Sequence, residues 1–397
     1  MHINKDFQLT YCTNVHPGSD WETTFESIKK HVPEIKRQVA DDRPFGLGLR
    51  LSNKASEELG TGQRLTEFRQ WLDTNGLYVF TMNGFPYGNF HNERVKDDVH
   101  APDWTTRERL VYTKRMFDQL AAILPDRLSG GISTSPVSYK YWHTSEEATK
   151  EAFDTGAKNM VEVAVHLYKI EQETGQYLHL DIEPEPDGML ENSEEVLSFF
   201  SDYLLPAAKV YLGAELDMDG VRAEEVLRRY ITVCYDVCHF SLAFEEPRDT
   251  FERLAKAGIR IGKIQVSAAL KIIADPKGNE AIWEALSHFD EPVYLHQVTE
   301  QIDGRVKTYN DLPIVLKEKK AFEELRAHFH VPVFLEKFGV LYSTQDHILK
   351  VVEYLKEHPV SEHLEVETYT WDVLPPGLKK DLTESIVREL NWLIEKF

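Results

Sequence analysis

Short apolar runs recur along the chain, each followed by a longer segment in which apolar residues return every three or four positions. The runs are "FQLTYCTN" (7–14), "FGLGLRLS" (45–52), "LYVFTMNGFP" (77–86), "LSGGISTSP" (128–136), "YLHLDIEPE" (177–185), "TVCYDVCHF" (232–240), "RIGKIQVSAAL" (260–270) and "HLEVETYTW" (363–371). Between them lie amphipathic stretches such as "WETTFESIKKHV" (21–32), with Trp21, Phe25 and Ile28 on one side and Ser19 and Asp20 placed to cap it. At the C-terminus "LTESIVRELNWLIEKF" (382–397) carries Leu382, Ile386, Leu390, Leu393 and Phe397 on a stripe, the pattern of a helix packed on a core. Eightfold alternation of strand and helix predicts an α/β fold with a parallel sheet. No "GxGxxG" or "GxxxxGK" is present, which favours a closed (β/α)₈ TIM barrel over an open Rossmann-like sheet.

One interval breaks the rhythm. About 90 residues separate "GKIQVSAALK" from "HLEVETYTW", where a βα crossover needs on the order of 30. It contains three strand-like pieces, "EPVYLHQVTEQ" (291–301), "GRVKTYNDL" (304–312) and "HFHVPVFLEKFG" (328–339). We expect one domain spanning 1–397, with an insertion at about 272–340 between strands seven and eight, lying on the catalytic side and partly built as a hairpin. No linker or short repeat marks a second domain.

Within a barrel strand, alternate residues face the interior and the helical layer. In "YLHLDIEPE" the aliphatics Leu178, Leu180 and Ile182 take the helical side, which turns His179, Asp181 and Glu183 inward. The same rule turns Asp236, Gln265 and Glu367 inward on the next three strands, each near the C-terminal end. Carboxylates buried there need a counter-charge, and Lys263 and Arg50 are the main inward cations. A divalent metal held by Glu183, Asp236, Gln265 and Glu367 would supply it; this all-oxygen set suits Mg²⁺ or Mn²⁺, with zinc less favoured. Each acid taken alone could equally cap a helix or pair at the rim. His239, in "DVCH", is placed to orient a metal-bound carboxylate or touch substrate.

His328 and His330 share one side of "HFHVPVF", where they could bind a second metal, face substrate or sit satisfied in the insertion. The spacing of Cys234, Cys238 and His239 lacks a zinc-finger layout and reads better as small core residues around Asp236. Lys263, deeper than Gln265, is expected to pair with Asp181 or Glu365, with Schiff-base chemistry the lesser alternative.

Composition narrows the classes. No apolar run approaches the roughly 18 residues of a membrane span, so membrane insertion is not expected. The N-terminus lacks a basic start and apolar core, so a secretory leader is not expected either. Three cysteines fit a reducing, cytoplasmic location. A net charge of −21 disfavours nucleic acid and leaves a small-molecule substrate as the expected partner.

The four inward positions, in that order, resemble the metal site of the xylose-isomerase-like TIM-barrel superfamily of sugar isomerases and epimerases. Members carry a glutamate, an Asp-x-x-His pair, a His or Gln, and a last glutamate; here these match Glu183, Asp236 with His239, Gln265 and Glu367. The glutamine looks like the hydroxypyruvate-isomerase branch. "LTYCTNVHPG", "FGLGLRLS", "NGFPYGNFH", "VHAPDW", "STSPVSYK" and "LEVETYTWDVLP" together resemble the EboE family of metabolite-traffic proteins. The resemblance implies one divalent metal and proton transfer beside a carbonyl, with Glu183 and Glu367 as the acid/base pair. Asn14, His16, Arg50, Asn83 and His91 would then contact substrate. It also leaves open a non-catalytic metabolite carrier, with a protein partner in a transport pathway.

Overall fold

The computed structural model describes residues 1–88, 96–290, 295–369, 371 and 381–397. Eight parallel strands form the barrel: β1 (Phe7–Tyr11), β2 (Phe45–Arg50), β3 (Leu77–Asn83), β4 (Gly130–Thr134), β5 (Leu178–Ile182), β6 (Ile231–Asp236), β7 (Ile261–Val266) and β14 (His363–Val366). A two-residue strand, His2–Ile3, adds antiparallel to β1. The sheet runs β1–β14–β7–β6–β5–β4–β3–β2. Threonine hydroxyls help close the last seam. Thr10 Oγ1 donates to the Gly46 carbonyl at 2.8 Å and accepts the Gly48 N–H at 2.9 Å, beside a single Cys12–Gly48 bridge.

The strands are buried on both faces, as parallel barrel strands must be. Leu178, Leu180 and Ile182 belong to the hydrophobic layer shared with the helices. Helix Trp21–Val39 is capped by Asp20, whose carboxylate accepts the Thr23 N–H at 2.9 Å, and it buries Trp21, Ile28, Val32 and Ile35. Ser19 is not the cap; its carbonyl accepts from Ser52 Oγ. The C-terminal helix Leu382–Ile394 buries Ile386, Val387, Leu390 and Leu393.

The inner face is polar. Lys263 Nζ meets Glu365 Oε1 at 2.7 Å, both side chains wholly buried, and His179 Nδ1 lies 2.6 Å from Asp181 Oδ1. Thr232 Oγ1 also donates to Asp181. These groups fit because the opposing strands present glycine. A Cβ on Gly48 would collide with the Glu365 carboxylate and with the Tyr11 carbonyl at 2.7 Å, and one on Gly262 would collide with Asp181.

Between β7 and β14 the chain builds a second sheet, antiparallel throughout. Its strands are β8 (Ala268–Ile273), β9 (Val298–Ile302), β10 (Arg305–Tyr309), β11 (Glu324–Val331), β12 (Lys337–Phe338) and β13 (Leu341–Ser343), in the order β10–β9–β11–β8–β13–β12. The run "IQVSAAL" is therefore two strands, parted at Ser267. The β11–β8 register shifts between Ala327 and Val331, and such irregularities re-aim side chains beside binding sites. Here Phe329 stacks on His296 inside the sheet, at 3.8 Å between centroids, while His330 Nδ1 reaches the Glu367 carbonyl at 3.0 Å.

Candidate metal centre

β5, β6 and β14 each end in an acid. Glu183 and Glu367 follow their strands and extend the ladders, with the Glu183 N–H donating to Thr134 O at 2.9 Å and the Glu367 N–H to Val266 O at 3.1 Å. Asp236 is the last residue of β6 and caps the short helix Val237–Leu242. Its Oδ1 accepts the His239 N–H at 3.0 Å and the Ser267 hydroxyl at 2.7 Å. That cap aims Oδ2 into the barrel mouth. Glu183, Asp236 and Glu367, all buried, bring one carboxylate oxygen each to within 4.8 Å of one another.

Gln265 pairs in register with Asp236 and lies wholly buried beneath them. Its Nε2 donates to Glu367 Oε2 and lies 3.4 Å from Asp236 Oδ2, while Oε1 accepts from Cys234 Sγ at 2.8 Å. The amide therefore offers the acids its nitrogen; service as an oxygen ligand requires the amide to turn over. Asn14 and Asn83 donate to Glu367 Oε1 at 2.7 and 3.1 Å.

Electrostatics mark the cluster as short of positive charge. Burial raises Glu183 well above the carboxylate range, with Glu367 and Asp236 adding to it. Burial likewise pushes Glu367 up to about 7; His330 opposes, and Asp236 reinforces. Glu183 Oε2 is buried without a hydrogen-bond partner. Lys263 lowers both acids only in part, since its ammonium is already paired with Glu365 at 2.7 Å. A divalent cation fits this donor set.

The cluster floors a solvent-open cleft with a cavity volume of about 90 Å³. Asn14, Asn83, Glu183, His239, His328, His330 and Glu367 all line it. Two other anticipated contacts, His16 and Arg50, are not brought there; His16 Nε2 meets the Tyr11 hydroxyl at 2.8 Å. Arg50 does not line the cleft; its guanidinium donates to the Gly18 carbonyl at 3.0 Å and to the Gly88 carbonyl, tying down the loop after β3. A buried arginine with backbone carbonyls in reach is held by them, and strand alternation could not reveal that. His91 lies outside the described residues.

Other lining residues were missed by the pattern: Lys96, His100, Glu185, Gln297 and Tyr369. Glu185 stands two residues beyond Glu183 and takes His100 Nε2 at 2.9 Å, so its spacing was a usable signal. Lys96 pairs with Asp311 at 3.0 Å across the gap to the second sheet. Gln297 gave no signal, because its place depends on pairing within that sheet.

Just outside the cleft, Glu389 on the C-terminal helix accepts from Thr368 Oγ1 at 2.6 Å and from the Val333 N–H at 3.1 Å. Burial pushes it from 4.5 up to about 8, against both bonds. The folded state thus keeps a proton that the unfolded chain releases. Its stabilising contribution is complete below about pH 4.5 and is lost as pH rises through about 8. Glu389→Gln mimics the protonated form. Urea unfolding should show the variant gaining on wild type between pH 5 and pH 9, by on the order of 2–4 kcal/mol. Parallel pH curves would contradict the assignment.

No protein-family model matches the chain, and no curated protein matches it. Solved structures do match. A xylose isomerase-like TIM-barrel protein from Mycobacterium smegmatis, in complex with magnesium, aligns with a TM-score of 0.51 at 9% identity, over 100% of this chain and 98% of that one. A candidate sugar phosphate isomerase/epimerase from Anabaena variabilis aligns with a TM-score of 0.50 at 11% identity, over 98% of each chain. The fold is a xylose-isomerase-like TIM barrel. At these identities the likeness concerns the barrel alone, and the chemistry rests on the residues at its mouth. Among the described residues no helix is long and apolar enough to cross a membrane.

Proposed function

We propose that this protein is a divalent-metal-dependent isomerase or epimerase acting on a small sugar or keto/hydroxy metabolite. The observation that carries the reading is the meeting of Glu183, Asp236 and Glu367 in a buried cluster at the floor of a small-molecule cleft. Glu183, Asp236 and Glu367 would hold the cation, with Gln265 joining after its amide turns. When bound, the metal supplies Lewis-acid polarisation of substrate carbonyl and hydroxyl oxygens. Mg²⁺ or Mn²⁺ suits these oxygens.

The chain's residues supply the proton chemistry. Glu183 and Glu367 approach from β5 and β14, so one can take the carbon-bound proton while the other returns it. Asn14 and Asn83 hold the Glu367 carboxylate in place. Phe85 and Tyr369 also line the cleft and would offer aromatic surface to one side of a bound ring. On the sequence resemblance to the EboE family, we propose that the reaction belongs to a metabolite biosynthesis or traffic pathway.

The test is solvent-deuterium incorporation into a panel of keto-sugars, their phosphates and hydroxy acids, with Mn²⁺, with Mg²⁺ and after chelation. Metal-dependent exchange at carbon is the expected result. Failure to take up Mn²⁺ or Mg²⁺ would end the isomerase reading. Ligand binding without exchange would favour the carrier.

A further inference from the structure

Above the carboxylate cluster, toward the second sheet, three imidazoles converge: His239 from the helix after β6, and His328 and His330 from β11. Their protons can be placed. His239 Nδ1 lies 3.0 Å from the Pro184 carbonyl, which only accepts, so Nδ1 carries the hydrogen. His328 Nδ1 lies 2.9 Å from Gln297 Oε1, and that amide is oriented by its own Nε2 donating to the Pro186 carbonyl at 3.3 Å. So His328 also carries its hydrogen on Nδ1. Both rings then present an Nε2 lone pair, and the two Nε2 atoms stand only 3.1 Å apart.

Two acceptors facing at that distance repel unless a cation joins them. Two imidazole nitrogens bound to one metal at about 2.0–2.1 Å sit about 2.9–3.4 Å apart for right-angled to tetrahedral coordination. Further ligands stand ready. Glu185 brings a carboxylate oxygen within 4.8 Å of both the His239 and His328 ring nitrogens, and Asp236 does so for His239 and His330. Cys238 also reaches His328 and His330, but its Sγ is directed to the Phe329 carbonyl at 3.6 Å. Donation of each Nδ1–H to a carbonyl oxygen is the arrangement that orients metal-bound histidine.

We propose that His239, His328 and His330, with Glu185, form a second cation site adjoining the carboxylate cluster and selective for a zinc-class transition metal. Asp236 is common to both positions. The nitrogen-rich donors suit Zn²⁺ or Co²⁺, whereas the acids below suit Mg²⁺ or Mn²⁺. The insertion then contributes metal ligands to the barrel as well as a roof. This extends the proposed chemistry without depending on it, since the imidazole pairing stands whether or not turnover occurs.

Cobalt titration followed by visible absorption and elemental analysis tests it. Wild-type protein should bind two equivalents of Co²⁺, one of them displaced by excess Mg²⁺ and one retained. His328→Ala should lose the retained equivalent and its absorption band. Glu367→Gln should lose the Mg²⁺-displaceable one, which separates failure of this site from failure of the carboxylate site. Gln297→Leu, which leaves the ring in place but releases its tautomer, should weaken the retained equivalent by about 10–100-fold; it serves as the test if His328→Ala does not fold. A single equivalent in wild type, or two retained in His328→Ala, would overturn the proposal and leave a shared proton between the rings.

Discussion

Glu367→Gln is expected to lower divalent-cation affinity by about 10–100-fold and to reduce carbon–deuterium exchange by about 10³-fold or more. Three amides donate to this carboxylate: Asn14 at 2.7 Å, Asn83 at 3.1 Å, and Gln265. A glutamine there keeps one acceptor oxygen but turns an NH₂ group toward one of these donors. It also removes one negative charge from a cluster of three acids. Equilibrium dialysis with Mn²⁺ reads the binding term, and mass spectrometry of substrate in D₂O reads the exchange. A variant that kept both would remove Glu367 from the metal centre and from proton transfer together. Asn83→Ala should act more mildly, because it loosens the carboxylate without removing it.

Lys263→Met should destabilise the fold by about 3–5 kcal/mol. Both members of the Lys263–Glu365 pair are wholly buried, 2.7 Å apart, and Lys263 also reaches Ser133 Oγ at 3.3 Å. Removing the ammonium leaves a buried carboxylate beside the Gly48 backbone without its counter-charge. The double variant Lys263→Met/Glu365→Gln should regain part of the loss, since neither partner is then left charged. Chemical denaturation of both variants against wild type measures this. If Lys263→Met were as stable as wild type, the pair would not be the support of the barrel interior that its burial implies. The same pairing makes an imine-forming role for Lys263 unattractive, because the ammonium is held charged.

The eight barrel strands were legible because a strand's faces alternate locally and each run is bounded by its own turns. "YLHLDIEPE" declared that His179, Asp181 and Glu183 share a face, and the structure keeps them on the inner one. "RIGKIQVSAAL" shows where local pattern stops. Its alternation continues through Ser267, yet Ile261–Val266 belongs to the barrel and Ala268–Ile273 to the second sheet. Periodicity records which side a residue faces, not which sheet it joins. "DVCHF" likewise continues the strand pattern, although Asp236 ends β6 by capping a helix that lifts His239 toward the second sheet.

What the sequence determined by itself was the order of strands and the inward direction of the acids, because both follow from the backbone's period and from the cost of exposing aliphatic side chains. Only the tertiary structure decided which groups meet. Register set Asp236 beside Gln265, and a hydrogen bond to Glu367 turned the Gln265 amide nitrogen toward the acids. Backbone carbonyls drew Arg50 away from the cleft. The shifted register of β11 carried His328 to within 3.1 Å of His239, across 89 residues of sequence. Such contacts depend on long-range pairing and on which carbonyl each side chain finds, and neither is written in the spacing of the residues themselves.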